Sequence, residues 1–152
     1  MNSVRTFKRT YLMFSFTFMI YQGFIIALLY SLGYSESKIG LLLSINMIAA
    51  VAGQFLNGYL TDKYFSPRQV MLFQICLSVV GMSILFFSPN YILLIVVAMI
   101  MGFSIQAIYS TMDSWVLFDS KDTHDQYGTI LMFSSIGKSI STIVVGKAFD
   151  IL

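Results

Sequence analysis

Three long stretches of this chain carry no charge: residues 10–35, 39–61 and 69–112. A helix that crosses a bilayer needs roughly 20 consecutive, mostly apolar residues. The first two stretches each suit one crossing. The third is too long for one, and Ser88-Pro89-Asn90 divides it, because proline ends a helix and favours a turn. A further apolar segment runs over 127–148, interrupted by Lys138 and Lys147. The pattern predicts five membrane-spanning helices, at about 11–32, 39–61, 69–87, 91–117 and 127–148.

Composition supports this reading and excludes others. Of the 152 residues, 57% are hydrophobic and 11% are charged, too few charges to cover a soluble domain of this size. One cysteine excludes a disulfide framework and a thiolate zinc site. The net charge of +2 is scattered, so nothing points to nucleic acid. The runs are longer than barrel strands and do not alternate. The first is too long for a signal-peptide core and lacks a small-x-small cleavage site. The expectation is an all-α membrane protein, with residues 1–152 forming a single transmembrane domain.

Basic residues set the orientation. Arg5, Lys8 and Arg9 precede the first span, Lys63 and Arg68 lie between the second and third, and Lys121 lies between the fourth and fifth. These segments share one side, and the opposite side has only Lys38 in its first loop. The N-terminus is therefore expected in the cytoplasm, the chain in the plasma membrane, and the C-terminus outside. The sequence closes at Asp150-Ile151-Leu152 without a sixth span, the expected ending of a portion of something longer.

Ionisable groups inside a bilayer are costly and point to function. Lys138 lies halfway along the fifth span, and Ser134, Ser135, Ser141 and Thr142 share its face at helical spacing. Ile136, Ile140, Ile143 and Val144 lie opposite. The stripe is expected to face other helices or a water-filled cavity. Serine alone serves equally as packing glue, and the lysine could pair with a neighbouring carboxylate. The fourth span repeats the pattern with Gln106, Tyr109, Ser110 and Asp113. Asp113 is either a cavity carboxylate available to a ligand or proton, or a snorkelling group near the interface. Gln22 could bind a polar ligand or another helix. On the second span Asn46, Ala50, Gly53 and Asn57 share a face suited to close packing.

Asp122, His124 and Asp125 lie in a short charged segment read as a solvated loop, with no partner His or Cys to make a metal site. There is no phosphate-binding glycine loop, no HExxH and no GxSxG. Nothing argues for an enzyme or a cofactor.

The segment Gly58-Tyr59-Leu60-Thr61-Asp62-Lys63, followed by Arg68, resembles the G-x-x-x-D-[RK] loop of the major facilitator superfamily. That loop joins the second and third helices on the cytoplasmic side, where the charge count places this one. Phe65 stands where the family usually has a second glycine, and Pro67-Arg68 where it often has two basic residues. Within the superfamily the chain looks most like the proton-coupled sugar symporters of the lactose permease type. Gly40, Gln54 and Gly58 keep that group's intervals. Tyr127-Gly128, Met132-Phe133, Ile136-Gly137 and Val145-Gly146 follow its fifth helix. The resemblance puts Asp113 at a carboxylate involved in sugar binding. It puts Leu131 at the partner arginine and Lys138 at a tryptophan that stacks on the sugar.

The resemblance implies a secondary, alternating-access transporter of a small polar solute, with protons as the coupling ion. Gln22, Gln106, Asp113, Ser134, Lys138 and Ser141 would lie along the substrate and proton path. Gly58, Asp62, Lys63 and Arg68 would form the gating loop, and Gly58 is expected to let adjacent helices approach. Family members have two six-helix halves, so the implied partners are a small solute, the lipid bilayer and a C-terminal half. Two other readings are a self-contained small membrane protein acting as a dimer and a non-transporting membrane scaffold.

Overall fold

The computed structural model describes residues 2–85, 90–119 and 121–151. These residues are helical almost throughout: α1 (Asn2–Ser31), α2 (Glu36–Lys63), α3 (Pro67–Leu85), α4 (Tyr91–Met101), a π segment (Gly102–Gln106), α5 (Ala107–Asp119), the one-turn α6 (Lys121–Asp125) and α7 (Tyr127–Ile151). Five spans are long and apolar enough to cross a membrane: Ser3–Ser31, Glu36–Lys63, Pro67–Leu85, Tyr91–Asp119 and Tyr127–Lys147. The shortest has 19 residues, or about 28 Å at ~1.5 Å per residue, close to the thickness of a hydrocarbon core.

Local chemistry explains the helix ends. Gly33 takes φ +75° after α1, and its N–H donates to the Tyr30 carbonyl, a turn that suits glycine. Asn90 caps α4 by accepting from the Ile92 N–H. Ser66 and Gln69 bracket the start of α3. The Ser66 N–H and hydroxyl both reach Gln69 Oε1 at 3.0 Å, and the Gln69 N–H donates to Ser66 Oγ at 3.4 Å. This is a capping box, with Pro67 at the first helical position. The residues Ser88-Pro89 lie outside the described part of the chain.

The first helix begins nine residues before its expected start. Hydropathy sees only what the bilayer core demands, and the basic residues Arg5, Lys8 and Arg9 are good helix formers. Val4, Phe7 and Tyr11 are buried at three- and four-residue spacing along this extension.

The chain divides into two compact units, residues 1–33 with 116–152 and residues 34–115. In the first, α1 packs along α7. Ser15 and Ser134 share a hydrogen bond of 2.6 Å, and Ser141 Oγ donates to the Phe16 carbonyl at 2.9 Å. Between them Gly137 meets the backbone of α1, where a Cβ would lie 2.5 Å from the Leu12 carbonyl oxygen. At one end Ser3 donates to Asp119 at 2.6 Å, and Lys8 Nζ lies 5.7 Å from the Phe133 ring centroid.

In the second unit, α2 packs against α4 and the π segment. A Cβ on Gly53 would fall on the Phe103 carbonyl oxygen, and one on Gly102 on the Asn46 carbonyl oxygen. Asn46 Nδ2 donates to the Ala98 carbonyl at 3.0 Å. Helix α3 brings Gly81 against Ile100 and Met101, and Gln74 Oε1 accepts from the Thr111 hydroxyl at 3.5 Å. On the other face of α2, Ile48, Val51 and Phe55 are 72%, 69% and 78% exposed, an apolar surface that water would not tolerate and lipid does.

Candidate functional site

The motif loop sits where α2 ends and α3 begins. Asp62 and Lys63 are the last two residues of α2, and Arg68 is the second residue of α3. All three are exposed. Lys63 folds back over Tyr59, with Nζ 4.7 Å from the ring centroid and 3.5 Å from the hydroxyl. Thr61 donates to the Asn57 carbonyl one turn back. Asp62 has no hydrogen-bond or ion-pair partner among the described residues. A carboxylate at a helix C-terminus also faces the negative end of the helix dipole, so its position gains nothing locally.

At Gly58, where the sequence suggests a close approach of helices, the described residues make none. Nothing lies within 4 Å of where its Cβ would be, so within this chain it separates no helices. The close approach on α2 belongs to Gly53, one turn earlier.

The polar stripe of the fifth span divides. Ser134 and Ser141 are buried, and their hydroxyls are engaged in the seam with α1. Ser135, Lys138 and Thr142 lie one residue further round, about 100° away, and are exposed. Each serine thus has the packing use that the sequence left open. Gly137, between the two serines, is the residue that polarity alone overlooks. The spacing Ser-x-x-Gly-x-x-x-Ser is the signal that could have found it.

The residues of the fourth span's polar stripe are alike in burial. Gln106, Tyr109, Ser110 and Asp113 are all half-buried, while Ala107, Ile108, Thr111 and Met112 beside them are buried. Gln106 closes the π segment. A π turn adds one residue to the helical count, shifts the phase of the residues after it, and often marks a functional position. Gly102 at its start lies against the α2 backbone, too close for any side chain. Gln22, on α1, is half-buried.

The segment around His124 is a one-turn helix rather than a loop. His124 and Asp125 are exposed and 3.6 Å apart. Among the described residues no three His, Cys, Asp or Glu side chains gather in a way that could hold a metal.

Lys38 is the basic residue expected on the opposite side from the motif loop. Its Nζ lies 5.8 Å from the Tyr34 ring centroid and 5.4 Å from that of Tyr91, and the Tyr91 hydroxyl donates to the Lys38 carbonyl. Tyrosines at a span's end, one contacting a lysine backbone, suit a membrane–water interface.

Compared with known families, the chain matches the MFS_1 like family over residues 4–152. No curated protein and no solved structure matches it.

Proposed function

This chain belongs to the MFS_1 like family, and on that premise we propose that it forms opening spans of a secondary transporter for a small polar solute, coupled to protons. Its five apolar helices and its family make it a multi-pass membrane protein of a transport family. The observation that carries the finer reading is Asp113. It is a half-buried carboxylate, grouped with Gln106, Tyr109 and Ser110, on a span otherwise among the most apolar of the chain. A bilayer tolerates such a group where it serves a solute or a proton path.

In this reading Asp113 exchanges the coupling proton and contacts the solute. Gln106 and Gln22 offer neutral hydrogen bonds, and Lys138 supplies the positive charge. Ser134 and Ser141 hold the helix that carries Lys138. Asp62 meets the second half of the transporter, and Lys63 and Arg68 flank it on the cytoplasmic side of the plasma membrane. Alternating exposure comes from rocking of the two halves about the solute.

The test is a double-mutant cycle on uptake, with the gene expressed in its native reading frame and offered a panel of labelled sugars and other small polar solutes under a pH gradient. If the assembled transporter buries Asp113 and Lys138 together, Asp113→Asn and Lys138→Gln should each lower uptake by the equivalent of about 2–5 kcal/mol. The pair should cost less than the sum. Unchanged uptake in both single variants, for every solute the wild type accumulates, would reject the path. Asp62→Asn should lower uptake while leaving the amount inserted in the membrane unchanged.

A further inference from the structure

Two buried amides of the second unit are incompletely paired: Gln74 lacks a partner at Nε2, and Asn57 lacks one at both ends. Asn57 is 2% exposed, and neither its Nδ2 nor its Oδ1 has a partner. A buried amide with both ends unsatisfied costs roughly 1–3 kcal/mol for each lost partner, so such a group calls for an occupant. Asn57 lines a cavity of about 320 Å³ between the last turns of α2 and the first turns of α3. The rest of the wall is Leu60, Phe65, Gln69, Val70 and Phe73. Gln69 Oε1 is already engaged by Ser66. The cavity is therefore an apolar pocket with two aromatic rings, walled in part by Asn57, whose buried amide donor and acceptor both lack a partner.

We propose that this cavity binds a small, neutral, planar molecule that carries an N–H beside a C=O. None of the six lining residues ionises, so a charged ligand would lose its hydration without compensation. A carboxamide presents one donor and one acceptor side by side, and the group that satisfies both is another amide edge. Phe65 and Phe73 suit a flat ring attached to it. The pattern of apolar walls with a few fixed polar groups is that of a small-molecule site. The proposal is independent of the transport reading, because all its residues lie in the α2–α3 hairpin.

The experiment uses the 152-residue chain in lipid nanodiscs, with benzamide as the probe and empty nanodiscs subtracted. Calorimetric titration should show saturable binding of benzamide. N,N-dimethylbenzamide, which lacks the N–H, should bind about tenfold more weakly. Asn57→Leu keeps the volume and removes the amide. It should weaken benzamide about tenfold while melting at or above the wild-type temperature, because the orphaned groups are gone. Equal binding of the two probes to the wild-type chain would overturn the proposal, and this comparison stands even if the variant fails to fold. Binding no greater than to empty nanodiscs would also overturn it. So would a lower melting temperature of Asn57→Leu with unchanged benzamide binding, which would show the amide satisfied by internal water.

Discussion

The seam between α1 and α7 and the seam between α2 and α4 use the same spacing of inward residues. On α7 it runs Ile130, Ser134, Gly137, Ser141, and on α2 it runs Asn46, Ala50, Gly53, Asn57. The intervals are four, three and four in both, and glycine stands third in both. In each seam that glycine lies against a backbone carbonyl of the neighbouring helix, Leu12 in one and Phe103 in the other. The polar residues around it fare differently. Both serines of α7 find partners on α1. On α2, Asn46 reaches Ala98 but Asn57 reaches nothing. Where helices touch is thus set by the missing side chain, and which polar groups are satisfied depends on reach. A serine hydroxyl held close to the neighbouring helix finds an acceptor there. Asn57, at the end of its seam, borders the cavity and finds no acceptor or donor there.

The largest effect should come from filling the two glycines. Gly53→Leu and Gly137→Leu each drive a side chain into backbone that cannot move aside as a flexible side chain would. Overpacking typically costs about 1–3 kcal/mol, and a clash with backbone belongs at or above the upper end. Thermal unfolding in detergent should show a large loss of stability for both. Gly58→Leu faces open space and should stay within about 0.5 kcal/mol of wild type, as surface changes do. Equal losses at all three glycines would break the comparison, since the seam would then hold no special place.

These same residues show how far the sequence alone can be read. The five spans are legible because hydropathy acts over whole helices, and the family match agrees with a membrane protein of this kind. The extra length of α1 is not, because helix continues into charged residues that hydropathy discounts. The start of α3 is written in Ser66-Pro67-Arg68-Gln69 as a capping box, and hydropathy passes over it for the same reason. The π segment has no polar or apolar signature, and it begins where Gly102 passes close over Asn46. Polarity groups Gln106, Tyr109, Ser110 and Asp113, and all four are half-buried. It misleads on α7, where it counts Ser134 and Ser141 with Lys138. A face read by polarity is broad, while a helix–helix seam is one residue wide and is chosen by the smallest side chain.

A middle-sized effect should come from making the second seam resemble the first. Asn57→Ser places a hydroxyl where α7 has Ser141. A serine in a helix can donate to the carbonyl four residues back, as Ser104 does to Ile100 here. The buried amide disappears, and stability should rise by about 1 kcal/mol. Denaturant unfolding of the purified chain would measure it. A fall of the same size would mean that the amide is already satisfied, and that the two seams differ less than their hydrogen bonds indicate.

The smallest effect tests whether the serines of the first seam matter beyond their size. Ser15 and Ser134 are both fully or nearly buried and hydrogen-bond to each other. Hydrogen bonds between helices within a membrane average only about 0.6 kcal/mol, because the separated helices find other partners. Ser15→Ala and Ser134→Ala should each cost about that much, since each removes the hydrogen bond between the two hydroxyls. The double variant should cost less than their sum, with a coupling near ~0.6 kcal/mol. Both alanines are as small as serine, so Gly137 would still meet Leu12 and the seam would still close. If instead the double variant lost as much as Gly137→Leu, the hydroxyl pair rather than the glycine would be what holds α1 to α7.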